Sequence, residues 1–235
     1  LDHMLRGEQS RREAAFVRGI AEGLGIPCVV EQRDVRAYKE QKGLSLQEAA
    51  REVRYGFFMD VLRKYGAHKI ALGHHADDQA ETILMRLLRG ASLQGLTGIP
   101  PVRDGIIIRP MLAVTRGEIE AYLQGRNISY IRDTSAAEQH YLRNKIRHSL
   151  LPLLQKEYNP QIVGVLTGMA DTLRQDSDML EDIVEQAVSG CLVQGRGELC
   201  CSLDLLKEYS PSLRGRMFRK LICRLKGDTR ELSFK

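Results

Sequence analysis

The segment of the sequence best suited to chemistry is 73–82, which reads Gly-His-His-Ala-Asp-Asp-Gln-Ala-Glu-Thr. It follows a short apolar run and opens a predicted helix. Its polar residues should therefore lie at the carboxyl edge of a parallel sheet, where such sheets bind ligands. Asp77 and Glu81 are four residues apart and share one helix face. Two carboxylates on one face suit Mg²⁺, which combines a few carboxylates with water and phosphate oxygens.

Two other interpretations of these residues are open. The acidic side chains could simply stabilise the positive N-terminus of the helix, by roughly 0.3–1 kcal/mol each. Alternatively, His74, His75 and an aspartate could bind zinc, although adjacent histidines that leave a strand usually point apart. The residues alone do not decide between magnesium binding and helix stabilisation.

Two arginines on another predicted helix could contact phosphate. Arg51 and Arg54 lie three residues apart, beside the apolar stripe of that helix. A guanidinium grips phosphate in a bidentate fork, which suits this role. A solvated helix face that pairs with Glu48 and Glu52 is the alternative.

The helix predicted over residues 141–157 has one apolar and one polar face. The polar face consists of His140, Arg143, Asn144 and Arg147. A merely soluble helix would carry interspersed glutamates, and none occurs between Tyr141 and Gln155. The pattern favours contact with phosphate or with an RNA backbone.

Composition indicates a soluble globular protein of one large domain or two. The chain has 235 residues, of which 43% are hydrophobic and 28% charged. Its apolar runs are too short to span a bilayer, so we expect no membrane contact. Five cysteines without a Cys-x-x-Cys pair argue against a disulfide framework or zinc site and favour the cytoplasm. The net charge of +5 is compatible with a polyanionic partner.

Hydrophobic periodicity predicts alternating strands and helices, followed by a helical segment. The predicted helices cover residues 10–24, 45–65, 77–88, 115–124, 141–157 (with a break near Pro152), 159–189 and 211–225. The predicted strands cover residues 28–30, 69–73, 106–109, 129–131 and 198–203, and 89–101 is predicted to be a loop. We therefore predict a parallel-sheet α/β domain over 1–157 and a smaller, mainly helical domain over 158–235.

Five motifs, in order over about two-thirds of the chain, resemble those of the tRNA(Ile)-lysidine synthetase family. They are Leu-Asp-His-x-Leu-Arg-Gly-Glu at 1–8, Glu-Ala-Ala-Arg-x-x-Arg-Tyr at 48–55, the 73–82 segment followed by Arg89-Gly90, Arg-Pro-Met-Leu at 109–112, and Asp133-x-Ser135 with Arg-Asn-x-Ile-Arg at 143–147. One such motif would be weak evidence, whereas five in this order are specific.

The resemblance implies an N-type ATP-pyrophosphatase (PP-loop, adenine nucleotide alpha hydrolase-like) domain, followed by a domain that contacts tRNA. The implied reaction uses ATP and Mg²⁺ to adenylate the wobble cytidine of tRNA(Ile) with a CAU anticodon. Free lysine then displaces AMP and gives lysidine. A homodimer is an assembly that the resemblance allows.

The same resemblance implies roles for individual residues. The catalytic set would be Arg54, Asp78, Glu81 and Arg147. The ATP-binding set would be His3, Arg6, His74, His75, Asp77 and Asp78. The substrate or tRNA set would be Arg51, Arg109, Asp133, Arg143, Asn144 and Arg147. Magnesium would be held by Asp77 and Glu81.

The sequence departs from the family pattern in two places. The Ser-Gly-Gly-x-Asp-Ser phosphate loop is absent before Leu1, so we expect the chain as written to be incomplete and to bind ATP poorly. The usual Ser-Asn is Ser135-Ala136 here. Two alternatives follow, namely a non-catalytic tRNA-binding fragment and a related tRNA-thiolating enzyme. The latter would need cysteines near the site, and the predicted α/β domain has only Cys28.

Overall fold

A computed structural model describes residues 1–5, 7–131, 142–194 and 199–226, without the side chains of residues 193, 194 and 199. Contacts between residues divide the chain into two units. Unit one comprises Leu1–Gln79 and Ile99–His148, and unit two comprises Ala80–Gly98 and Ser149–Lys235. The predicted domain boundary between residues 157 and 158 rests on the change in sequence pattern, and it stays a prediction.

The described residues are mostly helical. The helices are α1 (Glu8–Gly23), α2 (Val35–Lys42), α3 (Leu46–Lys64), α4 (Ala76–Leu88), α5 (Leu93–Leu96), α6 (Arg116–Gly125), α7 (Leu142–Lys145), α8 (Leu151–Glu157), α9 (Ile162–Cys191), α10 (Leu203–Glu208) and α11 (Pro211–Lys226). The strands are β1 (Ile70–Ala71), β2 (Val102–Arg103), β3 (Ile107–Ile108), β4 (Leu192–Gln194) and β5 (Leu199–Cys201).

Capping residues set where two helices of unit one begin, at the predicted positions 45 and 115. The Ser45 hydroxyl accepts from the N–H of Glu48, and the Glu48 side chain accepts from the N–H of Ser45. Thr115 and Glu118 form the same reciprocal pair at the start of α6. These capping boxes satisfy backbone donors that have no partner within the helix.

The sheet of unit one is mixed, in the order β1-β3-β2. Strands β1 and β3 are parallel, as predicted, with Ile70 opposite Ile107. Strand β2, which was not predicted, pairs antiparallel with β3. Asp104, Gly105 and Ile106 connect them, and Asp104 and Gly105 adopt the positive φ values, 54° and 64°, that hairpin turns commonly require. The predicted parallel sheet is therefore confirmed for β1 and β3, but the antiparallel β2 at its edge makes the sheet mixed.

Two predicted strands are not formed. Residues 28–30 belong to no strand, and the strand-like pairing described in this region is a single parallel bridge between Asp2 and Gln32. Residues 129–131 also belong to no strand. The predicted 89–101 loop contains α5 and is otherwise irregular.

The helix predicted over 141–157 is interrupted. A five-residue π-helical turn, Ile146–Leu150, separates α7 from α8. Pro152 lies at the start of α8, where its missing N–H costs little. The break expected near Pro152 is thus confirmed, and the irregular turn lies just before it.

Unit two is built on the 30-residue helix α9. Its core consists of Val184, Ala187, Val188, Cys191, Leu206, Met217 and Leu221. These residues come from α9, α10 and α11, and the antiparallel hairpin β4–β5 follows α9 directly. Among the described residues, no helix has both the length and the apolar character needed to cross a membrane.

Candidate active site

The N-terminus of α4 is fixed at the carboxyl end of β1. The Asp78 carboxylate accepts a hydrogen bond from the N–H of His75, with 3.2 Å between nitrogen and Oδ2. The N–H of Ala76 donates to the carbonyl of Val114 at 2.8 Å. Both donors would otherwise lack partners at the helix start, so these contacts hold the turn against the sheet.

A cleft of about 460 Å³ opens beside this turn, within unit one. It is lined by Arg54, Phe58, Leu72, Gly73, His74, Asp78, Arg143 and Arg147. The lining is drawn from α3, the end of the β1 segment, α4, α7 and the π-helical turn. Five of these residues were predicted to belong to the site, namely Arg54, His74, Asp78, Arg143 and Arg147.

Asp78 anchors the two arginines that follow the undescribed residues 132–141. Its Oδ1 lies 2.7 Å from Nη2 of Arg143 and 3.1 Å from Nη2 of Arg147. Arg143 is on α7 and Arg147 is one turn later, so a single carboxylate fixes both guanidiniums. Asp78 is 9% exposed, which makes these ion pairs stronger than surface pairs.

The cleft carries an excess of positive charge. Its lining has three guanidiniums and one carboxylate, a formal excess of two. Desolvation lowers the pKa of Arg54, and the charges of Arg51 and Arg143 act in the same direction. Among the described residues, Arg54 forms no ion pair. A guanidinium crowded by like charges provides a binding position for an anion.

His74 lies in this positive environment as a neutral side chain. Burial lowers its pKa, and Arg109, Arg143 and Arg54 lower it further, against the opposing effect of Asp78. Its Nδ1 is buried and, among the described residues, has no hydrogen-bond partner. An unpartnered buried nitrogen beside a cleft fits a hydrogen bond to a ligand.

The neighbouring His75 and Asp77 serve the scaffold. The Asp77 carboxylate accepts the N–H of Arg116, the first residue of α6, at 2.7 Å. His75 Nδ1 lies 3.5 Å from Asp77 Oδ2, and this interaction raises the pKa of His75. Burial opposes ionisation of Asp77, but His75 and the Arg116 N–H outweigh it and lower its pKa.

The residues fit ATP better than they fit Mg²⁺. The positive excess suits a polyphosphate, as does Arg54, which forms no ion pair with any residue that the structure describes. In contrast, no group of three or more His, Cys, Asp or Glu in the described part of the chain is arranged to hold a metal. Asp77 is already engaged by Arg116, and Glu81 is only 1% exposed and belongs to unit two. Magnesium binding by Asp77 and Glu81 stays a prediction.

The other predicted site residues do not line the cleft. Arg109 is 6% exposed and donates from Nη1 to the carbonyl of Pro100. Arg51 is exposed and lies against the ring of Tyr55. The remaining residues are His3, which lines a separate cavity of about 290 Å³, and Asn144, which is half-buried on α7. Arg6 and Asp133 lie outside the described residues.

Two contributions were missed in the sequence. Phe58 lines the cleft, and its position four residues after Arg54 on α3 was the available signal. Gln79 is 1% exposed, and its side-chain amide forms two hydrogen bonds with the backbone of Ile99. It donates to the Ile99 carbonyl and accepts from the Ile99 N–H. Nothing in the sequence pairs Gln79 with a residue twenty positions away.

Comparison with known proteins identifies the family. Residues 1–154 match the model of the PP-loop domain. The chain belongs to the PP-loop domain family. It is 42% identical over 236 residues to a tRNA(Ile)-lysidine synthase of Geobacter sulfurreducens, covering 100% of this chain and 50% of that protein. It is 38% identical over 232 residues to a tRNA(Ile)-lysidine synthase of Clostridioides difficile, covering 97% and 50%.

A tRNA(Ile)-lysidine synthase of Geobacillus kaustophilus is also 38% identical, over 230 residues and covering 97% of this chain and 49% of that protein. The chain thus spans about half the length of the curated relatives it matches. The PP-loop match covers every element that lines the cleft. The cleft therefore lies within the part of the chain that defines the family, and an α/β fold is the one expected of this domain.

Proposed function

We propose that this chain carries the ATP-dependent adenylation site of a tRNA(Ile)-lysidine synthase. The observation that carries the proposal is the positively charged cleft at the start of α4, inside the segment that matches the PP-loop domain. The relatives are named tRNA(Ile)-lysidine synthase, and the substrates we propose on that basis are ATP, free lysine and tRNA(Ile) with a CAU anticodon.

The proposed reaction has two steps. In the first, O2 of the wobble cytidine attacks the α-phosphorus of ATP, and pyrophosphate leaves. In the second, an amine of lysine attacks C2 of the activated cytidine, the C2–O bond breaks, AMP leaves with the oxygen and the amine loses a proton. Adenylation converts a poor leaving oxygen into a good one, so the protein mainly has to position groups and offset negative charge.

The cleft residues divide this work. Arg54, Arg143 and Arg147 would offset the phosphate charge, and Asp78 would position the latter two. His74, kept neutral by burial, would hydrogen-bond to substrate without adding charge. Mg²⁺ would accompany ATP and neutralise part of its charge. The proposal also includes the catalytic, ATP-binding and tRNA-binding roles that the family resemblance implies for Glu81, Arg109, Asn144 and the remaining predicted residues.

The larger architecture is also part of the proposal. Residues 1–157 would form the ATP-pyrophosphatase domain, and 158–235 would form a mainly helical domain that contacts tRNA. A homodimer and a cytoplasmic location complete it. Light scattering of the purified protein at several concentrations tests the dimer, and a single species of monomer mass would exclude it.

Lysine incorporation tests the function directly. Purified full-length protein, ATP, lysine and tRNA(Ile) should yield a lysidine nucleoside, detected by mass spectrometry of the digested anticodon. Arg147→Ala should abolish the product while leaving the melting temperature within a few degrees. Arg126→Ala, an arginine outside the cleft with the same change of charge, should retain it. Wild-type product from Arg147→Ala would contradict the assigned role.

The same assay separates the rival functions. A protein that binds tRNA but neither consumes ATP nor forms product would be a tRNA-binding module. A thiolating enzyme would incorporate sulfur and would need a cysteine at its site. Cys28 does not line the cleft, which favours lysine ligation over thiolation.

A further inference from the structure

Three arginines surround one aromatic ring in unit one. The guanidinium carbons of Arg103 and Arg51 lie 4.4 and 4.8 Å from the centroid of the Tyr55 ring, and that of Arg54 lies 6.0 Å away. Tyr55 is half-buried and packs edge-on against Phe58, with 6.2 Å between ring centroids. We call Arg51, Arg54, Tyr55 and Arg103 the Tyr55 cluster.

Two elements distant in sequence form the cluster. Helix α3 provides Arg51 and Tyr55, which are four residues apart and so lie on one face. Strand β2 provides Arg103, whose position is set by the Asp104–Gly105 turn. Arg51 and Arg54 approach the ring from α3 itself, whereas Arg103 reaches it from β2, so the contact with Arg103 depends on the tertiary fold.

The cluster is short of negative charge. Asp104 lies 3.3 Å from Nε of Arg103, and its side chain is 78% exposed. Among the described residues, Arg51 and Arg54 form no ion pair. Each cation–π contact contributes only about 0.5–1 kcal/mol at an exposed site, and the like charges oppose one another. An anionic partner would relieve this repulsion.

The cluster is continuous with the cleft. Arg54 lines the cleft and also approaches the Tyr55 ring, and Phe58 contacts both. A chain of phosphates that enters the cleft at Arg54 would therefore run past Arg51 and Arg103. Guanidiniums fork onto phosphodiester oxygens, and the ring of Phe58, which lines the cleft, can stack on an unpaired base. This combination favours single-stranded RNA over an acidic protein, which offers carboxylates but no bases to stack.

We propose that the Tyr55 cluster binds the RNA backbone next to the nucleotide held in the cleft. Arg51 and Arg103 contact successive phosphates, and Tyr55 holds both guanidiniums in place. The identification of this RNA as tRNA rests on the proposed function, but the binding of RNA by the cluster does not.

Direct RNA binding at several salt concentrations, without ATP or lysine, tests the proposal. The probes are a tRNA(Ile) transcript and an unrelated RNA hairpin of similar loop size. With the full-length protein, Arg51→Ala combined with Arg103→Ala should weaken binding roughly tenfold per arginine, as expected when charge-assisted hydrogen bonds are lost. The dependence of log affinity on log salt should become shallower by about one per arginine. Both RNAs should lose affinity alike, because phosphate contacts do not read sequence.

Arg126→Ala is the matched control. Arg126 lies over the ring of Tyr122 at 5.0 Å, so the variant removes one arginine–tyrosine contact and one charge from the same unit. It should bind RNA like the wild type. Arg103→Lys keeps the charge without the fork and should give an intermediate affinity, and thermal melting should show that all variants fold.

Wild-type affinity and salt dependence in the double variant would overturn the proposal. An equal loss in Arg126→Ala would also overturn it, because net charge alone would then explain binding. The two proposals fail separately. If the wild type makes no lysidine but the double variant still loses RNA affinity, RNA binding by the Tyr55 cluster is supported and the proposed function is refuted. Conversely, if the wild type forms lysidine and the double variant binds RNA as tightly as the wild type does, the proposed function stands and RNA binding by the Tyr55 cluster is refuted.

Discussion

Replacement of Asp78 by asparagine tests the central ion pairs of the cleft. The change removes the charge that holds Arg143 and Arg147, and it keeps an oxygen that can accept the N–H of His75. Helix α4 should therefore still begin at Ala76, while the two guanidiniums lose their anchor. A fall in stability would then report on the ion pairs and not on the helix cap.

The size of the effect follows from the geometry. Hydrogen bonds to charged groups contribute roughly 1.5–3 kcal/mol each. The Arg143 and Arg147 side chains are 40% and 28% exposed, so solvent screening reduces both values. We expect Asp78→Asn to lower the free energy of unfolding by about 2–3 kcal/mol and the melting temperature by about 5–10 °C.

A double-mutant cycle isolates the pair. Unfolding of the wild type, Asp78→Asn, Arg147→Ala and the double variant should be followed by circular dichroism, since the chain has no tryptophan. The coupling energy should be about 1 kcal/mol. Asp204→Asn is the control, because its partner Lys207 is 71% exposed and Asp204 itself 94% exposed, so little stability should be lost. Strictly additive effects of Asp78→Asn and Arg147→Ala would refute the reasoning.

Three further predictions concern stability. The raised pKa of His75 means that its stabilising contribution is complete below about 6.5, its ordinary value, and is lost as pH rises through the folded value; His75→Gln should remove this part of the pH dependence of unfolding. Gln79→Leu removes both side-chain bonds to Ile99 and should cost about 1–3 kcal/mol in chemical denaturation, and Gln79→Glu should also destabilise because it buries a carboxylate against the Ile99 carbonyl. Met217→Ala should cost about 2–5 kcal/mol, because the side chain is fully buried, whereas Met169→Ala, at a site 39% exposed, should cost far less.

Local signals in the sequence predicted local structure well. The predicted helices 45–65 and 115–124 begin at Ser45 and Thr115, whose capping boxes can be read from the sequence, and Ala49, Val53 and Phe57, which repeat with helical spacing, are buried. Leu46 belongs to the same stripe but is 39% exposed, because it lies in the first turn of the helix. Such signals succeed because capping and periodicity involve residues within one or two turns of each other.

The missed elements divide into two kinds. The β2–β3 hairpin had a readable signal, since Asp104-Gly105 just before the apolar run at 106–108 is typical of a hairpin turn. The ion pairs of Asp78 had none, because its partners lie 65 and 69 residues away. The family resemblance identified Asp78, Arg143 and Arg147 as site residues. Only the folded structure shows that the Asp78 carboxylate contacts both guanidiniums.

The acidic residues of 73–82 posed the question of magnesium binding against helix stabilisation. Asp78 accepts the N–H of His75 and Asp77 accepts that of Arg116, so both carboxylates satisfy donors at helix starts. Asp78 in addition neutralises one of the two guanidiniums it anchors. The cleft then keeps two uncompensated positive charges, the opposite of what a metal site needs. The charge balance favours a polyphosphate as the ligand, which is the property on which the proposed adenylation of tRNA depends.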